Sequence, residues 1–156
     1  MRDAPDPDRH ASPERPKILV VDDDPDLLLL LRSTLESEGY VAALASDGRA
    51  ALDRIGEDEP DLVLLDLMMP VLDGWGVLDE LAEAGTAPRV VVLSAKTGEQ
   101  DMARAYEMGA TEYVFKPFDP VTLLETIRSV LNWSAEDERR HRSRMLAALL
   151  DREASA

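Results

Sequence analysis

The sequence predicts an α/β fold, a doubly wound parallel five-stranded sheet with one extra helix at its C-terminal end. Three observations predict it. From Lys17 to Leu131, short apolar runs alternate five times with amphipathic stretches of helical period. The strongest runs, "ILVV", "LVLL" and "VVVL", are apolar without interruption, as strands covered on both faces must be. The strict alternation of strand and helix makes consecutive right-handed βαβ units, with helices on both faces of the sheet.

The first strand is "KILVV", and Asp24-Pro25 behind it read as N-cap and first residue of a leucine-rich helix ending near Gly39. "YVAALA" is the second strand and "DGRAALDRIGE" its helix; "DLVLLD" is the third, followed by "GWGVLDELAEAG". "RVVVLSA" with "GEQDMARAYEMG", and "EYVF" with "PVTLLETIRSVL", complete the series. Beyond them Ser134 with Asp137 resembles a capping box opening one more helix, charged through Arg144 and apolar at Met145, Leu146, Leu149 and Leu150. That pattern suits docking, or pairing into a homodimer, by the last turns. Arg139, Arg140, Arg142 and Arg144 read equally well as a solvated face, and His141 among them as a solvated residue. Trp75, after Asp73-Gly74, reads as partly exposed packing at a helix start.

Three segments follow: a disordered leader over 1–16, with four prolines and seven charged residues; one domain over 17–132; and a helical extension over 133–156. His10 in the leader reads as solvated. The domain carries 9 basic against 23 acidic side chains, whereas 133–156 carries five of each. A body this acidic repels phosphate backbones, so direct nucleic-acid contact is not expected. The five-leucine run at 27–31 is far short of the roughly 20 residues that span a bilayer, so no membrane insertion is expected. The N-terminus has no export pattern and the chain has no cysteine, which together point to a cytoplasmic protein without disulfides or thiolate metal sites.

In open α/β sheets, ligands bind outside the carboxyl ends of the strands. Here the first strand ends in Asp22-Asp23, the third in Asp66, the fourth in Ser94 and the fifth in Lys116-Pro117, while the second ends in plain Ala45-Ser46. Three carboxylates, a hydroxyl and an ammonium converge on one edge. Clustered carboxylates repel, and a buried cluster calls for a counter-ion or a functional reason.

"ILVVDDDP", "DLVLLDLMMPVLDG", "VVVLSAK" and "EYVFKPF", in this order over residues 17–131, resemble the receiver domain of bacterial response regulators, the phosphoacceptor half of two-component signalling. The resemblance implies a flavodoxin-like (βα)5 fold with strand order 2-1-3-4-5, and Asp66 as phosphoacceptor. It implies Mg²⁺ held by Asp22, Asp23, Asp66 and the backbone carbonyl of Met68. Lys116 and Ser94 would contact phosphoryl oxygens, and Ser94 with Tyr113 would form the switch, the Tyr113 ring entering space that Ser94 vacates. A cis Lys116-Pro117 bond is also implied. A histidine kinase or histidine phosphotransfer protein would be the phosphodonor and a downstream protein the target, the chain catalysing only its own phosphotransfer and slow self-dephosphorylation. Asp24 stays outside the metal set, as a cap. Two rivals use related sheets. A haloacid-dehalogenase-like phosphohydrolase would take Asp22 as nucleophile and Asp24 as general acid, but no late acidic pair follows Lys116 and Pro25-Asp26 replaces its small hydroxyl and apolar residues. A flavin-binding protein would want a hydroxyl-rich loop after the first strand, where this chain has carboxylates.

Overall fold

A computed structural model describes residues 15–85 and 88–155. The strands are β1 (Lys17–Val21), β2 (Val41–Ala45), β3 (Leu62–Asp66), β4 (Arg89–Ser94) and β5 (Glu112–Phe115). Between and after them run α1 (Pro25–Ser37), α2 (Gly48–Asp58), α3 (Gly74–Ala84), α4 (Glu99–Glu107), α5 (Pro120–Asn132) and α6 (Ala135–Ser155). The sheet is parallel throughout, in the order β2-β1-β3-β4-β5, which is the flavodoxin-like arrangement expected. The leader expected over 1–16 lies, but for its last two residues, outside the described residues.

Side-chain alternation along the strands divides the core in two. Ile18, Val20, Leu62, Leu64, Val91 and Leu93 face α1 and α5, meeting Leu31, Leu35, Leu123 and Ile127. Leu19, Val21, Val63, Leu65, Val90 and Val92 face the opposite way, against Ile55 of α2, Val77 and Leu78 of α3, and Ala103 and Tyr106 of α4. Every residue of β3 is buried, as an unbroken apolar run at the centre of the sheet requires.

Four helices open on an aspartate whose carboxylate accepts from the first turn: Asp24 at α1, Asp47 at α2, Asp73 at α3 and Asp119 at α5. Each such cap stabilises by about 1 kcal/mol. These caps absorb part of the acidic excess and leave Asp22, Asp23 and Asp66 as the cluster that capping does not explain.

α6 turns back onto the domain. Its start is the expected capping box: Ser134 N–H donates to Asp137 Oδ2 and Asp137 N–H to Ser134 Oγ, each at 3.0 Å. The helix then packs along α4, with Leu149 buried in the core and Met145 and Leu146 partly covered. One expectation is corrected here, and two readings left open by the sequence are decided. His141 is not solvated: its Nε2 lies 3.0 Å from Glu112 Oε2, and its ring lies 4.7 Å from that of Trp133. Arg142 donates to the carbonyls of Ala110 and Gly109, both at 3.1 Å, so the arginine run is not a single solvated face. Leu150 is 48% exposed and takes no part in docking. The reason is helical period: Glu138, His141, Arg142, Met145 and Leu149 fall on one stripe, so polar and apolar residues share the buried face. The carbonyls and carboxylates they meet at the α4–β5 turn were invisible in the sequence.

Candidate functional site

Strand register assembles the site. Val21 pairs with Leu65, so Asp22 comes level with Asp66 just past the end of β1. Asp66 pairs with Leu93, which puts Ser94 one step beyond, and Ser94 pairs with Phe115, which puts Lys116 one step beyond again. Carboxylate oxygens of Asp22, Asp23 and Asp66 all lie within 4.8 Å of one another. Asp22 and Asp66 are buried and Asp23 is exposed at the rim.

The Lys116 ammonium bridges the two buried carboxylates, donating to Asp22 Oδ2 at 2.5 Å and standing 3.5 Å from Asp66 Oδ2. Backbone donors fix the other oxygens: Asp24 N–H to Asp22 Oδ1 at 2.9 Å and Met68 N–H to Asp66 Oδ1 at 3.2 Å. Burial pushes the Asp66 carboxyl above the usual carboxylate range, against the opposing pull of Lys116. Burial also works to lower the Lys116 pKa, but its hydrogen bond to Asp22 and the charges of Asp66 and Asp22 prevail and raise it. One ammonium against three carboxylates leaves an excess of negative charge, and oxygen donors of this kind suit a hard divalent cation. The residues therefore fit a metal on the observed donor set. Asp24 stands apart as expected, its carboxylate accepting from Asp26 and Leu27 N–H.

Ser94 is fully buried, and its Oγ accepts from Lys96 N–H at 3.1 Å. The Tyr113 ring is already turned inward, 7% exposed, and its hydroxyl donates to the Lys96 carbonyl at 2.8 Å. The Lys116-Pro117 peptide bond is cis, as the resemblance implied. Met68 exposes its side chain at the mouth of the site. Trp75 packs at the start of α3 with the Arg104 guanidinium 4.1 Å above its ring.

Sequence reasoning missed one contributor and named another without its geometry. The Lys96 carbonyl, partner of Tyr113, is a main-chain atom and leaves no residue-type signal. Gly74, which the resemblance already places in the loop beside Asp66, brings α3 against the strand that ends in Asp66, its N–H donating to Leu67 O at 3.0 Å. The loop between them contains a tight turn, Leu72 N–H to Pro70 O at 2.8 Å, with Val71 at φ +68°. Positive φ costs a β-branched residue energy, so the loop after Asp66 is held by its two ends rather than by its own preference.

The family model for the response regulator receiver domain matches residues 18–128. This chain belongs to the response regulator receiver family. Among curated relatives of the receiver, the DNA-binding response regulator MtrA of Mycolicibacterium smegmatis is 44% identical over 124 residues, 80% of this chain and 54% of that protein. The alkaline phosphatase synthesis transcriptional regulatory protein PhoP of Bacillus subtilis is 39% identical over 118 residues, 76% of this chain and 49% of that protein. The chain thus spans about half the length of these relatives. Among solved structures, the receiver domain of the Francisella response regulator 1452 superposes with a TM-score of 0.72 at 30% identity, covering 75% of this chain and 97% of that one. The Vibrio cholerae chemotaxis protein CheY4 gives 0.71 at 29%, covering 75% and 99%.

The geometry makes a first prediction. Asp23→Ala removes the exposed ligand while leaving Asp22, Asp66 and Lys116 in place. Millimolar Mg²⁺ should raise the melting temperature of the parent, since a ligand at 100 times its Kd stabilises by about 2.7 kcal/mol. The variant should lose most of that rise; an equal rise in both proteins would remove Asp23 from the metal set.

Proposed function

We propose that this receiver is the phosphoacceptor of a two-component or phosphorelay system, phosphorylated on Asp66 in a Mg²⁺-dependent step that switches protein contacts on the α4/β5/α5 face. The observation that carries this reading is the Lys116 ammonium held between Asp22 and Asp66 at a strand-end carboxylate cluster. A buried carboxylate with a movable cation beside it is equipped both to attack phosphorus and to keep the product's charge compensated.

In the step itself, an Asp66 carboxylate oxygen forms a bond to phosphorus while the bond from phosphorus to the donor's imidazole nitrogen breaks, and the imidazole leaves. When bound, Mg²⁺ supplies charge neutralisation at the phosphoryl oxygens, and Asp22, Asp23 and Asp66 with the Met68 carbonyl would hold it. Lys116 turns its ammonium from Asp66 to a phosphoryl oxygen. Ser94 donates its hydroxyl to another, and the inward Tyr113 ring keeps that arrangement. The donor is a histidine kinase or histidine phosphotransfer protein, and the output is a protein target, in the cytoplasm. No helix among the described residues is long and apolar enough to cross a membrane. On this reading the chain is not an enzyme toward other substrates. The phosphohydrolase alternative, with Asp22 as nucleophile, lacks its acid, because the Asp24 carboxylate is engaged in capping α1.

Acetyl phosphate with Mg²⁺ should add one phosphoryl group, located by peptide mass spectrometry to the segment holding Asp66. Labelling at Asp22 would favour the phosphohydrolase. The lifetime of the label is a separate prediction. Met68 and Lys96, two residues past Asp66 and Ser94, offer no base to orient a hydrolytic water, so self-dephosphorylation should be slow. Met68→Asn should accelerate it, read from decay of the labelled mass; an unaltered lifetime would count against a role for this position.

A further inference from the structure

α6 lies against α4, and its anchoring residues converge on the residue next to the switch tyrosine. Glu112 immediately precedes Tyr113 on β5. Its Oε1 accepts from the Tyr106 hydroxyl of α4 at 2.6 Å and from Tyr113 N–H at 3.1 Å, and its Oε2 lies 3.0 Å from His141 Nε2 of α6. One carboxylate therefore touches α4, β5 and α6. From Tyr113 the path to Ser94 is two hydrogen bonds long, from the hydroxyl to the Lys96 carbonyl and from Lys96 N–H to Ser94 Oγ.

The anchoring is extensive. Glu138 Oε2 accepts from Thr111 Oγ1 at 2.7 Å, and Arg142 holds the carbonyls of the α4–β5 turn. Farther along, Leu149 is 3% exposed in the same cluster as Ala103 and Tyr106 of α4, and Arg152 meets Glu99 at 3.3 Å. α4 thus cannot shift without either carrying α6 along or breaking these contacts. In the arrangement seen here, α6 is docked and Tyr113 is inward.

We infer that α6 docking and occupancy of the Asp66 pocket are coupled, each favouring the inward Tyr113 and the α4 position that accompanies it. The inference rests on the proposed function, under which phosphorylation favours the inward ring. Coupling of this kind is reciprocal: whatever α6 contributes to phosphoryl-site affinity, phosphoryl-site occupancy returns to α6 docking. It makes the C-terminal helix a built-in positive effector, and the α4 side of the output face a surface already taken by the chain itself.

The probe is beryllofluoride with Mg²⁺, a mimic of the aspartyl phosphate, with its dissociation constant read by titration calorimetry. Three proteins are compared: the full chain, the chain ended after Asn132, and full-length Leu149→Asp, which keeps the helix but not its seat. Both altered forms should bind on the order of tenfold more weakly, Leu149→Met should bind as the parent does, and in the parent the probe should slow hydrogen exchange of α6 amides. Equal or tighter binding in either altered form overturns the coupling while leaving the functional reading intact. No binding by the full chain overturns the functional reading, and the coupling with it.

Discussion

Asp66→Asn is expected to abolish labelling by acetyl phosphate and, in the absence of divalent metal, to raise the melting temperature at neutral pH. The first effect follows from chemistry: an amide oxygen is too poor a nucleophile to form the acyl phosphate, and no second carboxylate takes over, because Asp22 is tied to Lys116 and to Asp24 N–H. The second follows from linkage. Burial raises the Asp66 carboxyl above its unfolded value. A raised pKa contributes stability that is fully present below the unfolded pKa and lost as pH rises through the folded one. At neutral pH the ionised side chain therefore weighs against folding, and asparagine relieves it while Lys116 keeps its shorter contact with Asp22. The stability gap between variant and parent should narrow as pH falls into the carboxylate range. A variant that still labels would remove Asp66 as acceptor, and a parent more stable than the variant at neutral pH would mean that Lys116 outweighs burial at this site.

The site was legible because it is built at strand ends, where position in the sheet follows from apolar runs that any reader of the sequence can count. Once β1, β3, β4 and β5 are placed, parallel register brings Asp22, Asp66, Ser94 and Lys116 together. Asp24 could be set aside because Pro25 behind it marks a helix start, and the structure makes it a cap. The reading failed where placement depends on tertiary partners. His141 read as solvated and Arg142 equally as solvated or docked, whereas the docked α6 carries them to Glu112 and to the carbonyls of Gly109 and Ala110. Helical period could have located the stripe, but not what it faces. Tyr113 illustrates a different limit. Sequence names a switch residue without saying which way its ring is turned, and here the Lys96 carbonyl holds it inward.

Gly74→Ala and Gly56→Ala make the same chemical change inside or at the start of a helix, and they should move stability in opposite directions. Gly56 lies in α2 with nothing within 4 Å of where a Cβ would stand. Alanine there reduces the freedom of the unfolded chain and suits the helix, so a gain of roughly 0.5–1 kcal/mol is expected. Gly74 is the buried first residue of α3, and a Cβ on it would stand 2.4 Å from Asp66 O and 2.7 Å from Leu67 Cα. Both are main-chain atoms of β3 and its exit, so no side chain can rotate away. Either α3 backs off or the Asp66–Leu67 peptide shifts. Overpacking of this kind costs typically about 1–3 kcal/mol, and here it falls directly on the backbone that aims the Asp66 carboxylate. Gly74→Ala should therefore lower the melting temperature and also slow labelling by acetyl phosphate in protein that remains folded, whereas Gly56→Ala should raise the melting temperature and label as the parent does. Thermal unfolding and single-turnover labelling of the two variants side by side provide the check. Normal labelling by Gly74→Ala would show that β3 tolerates displacement of α3, and that the close approach serves packing alone.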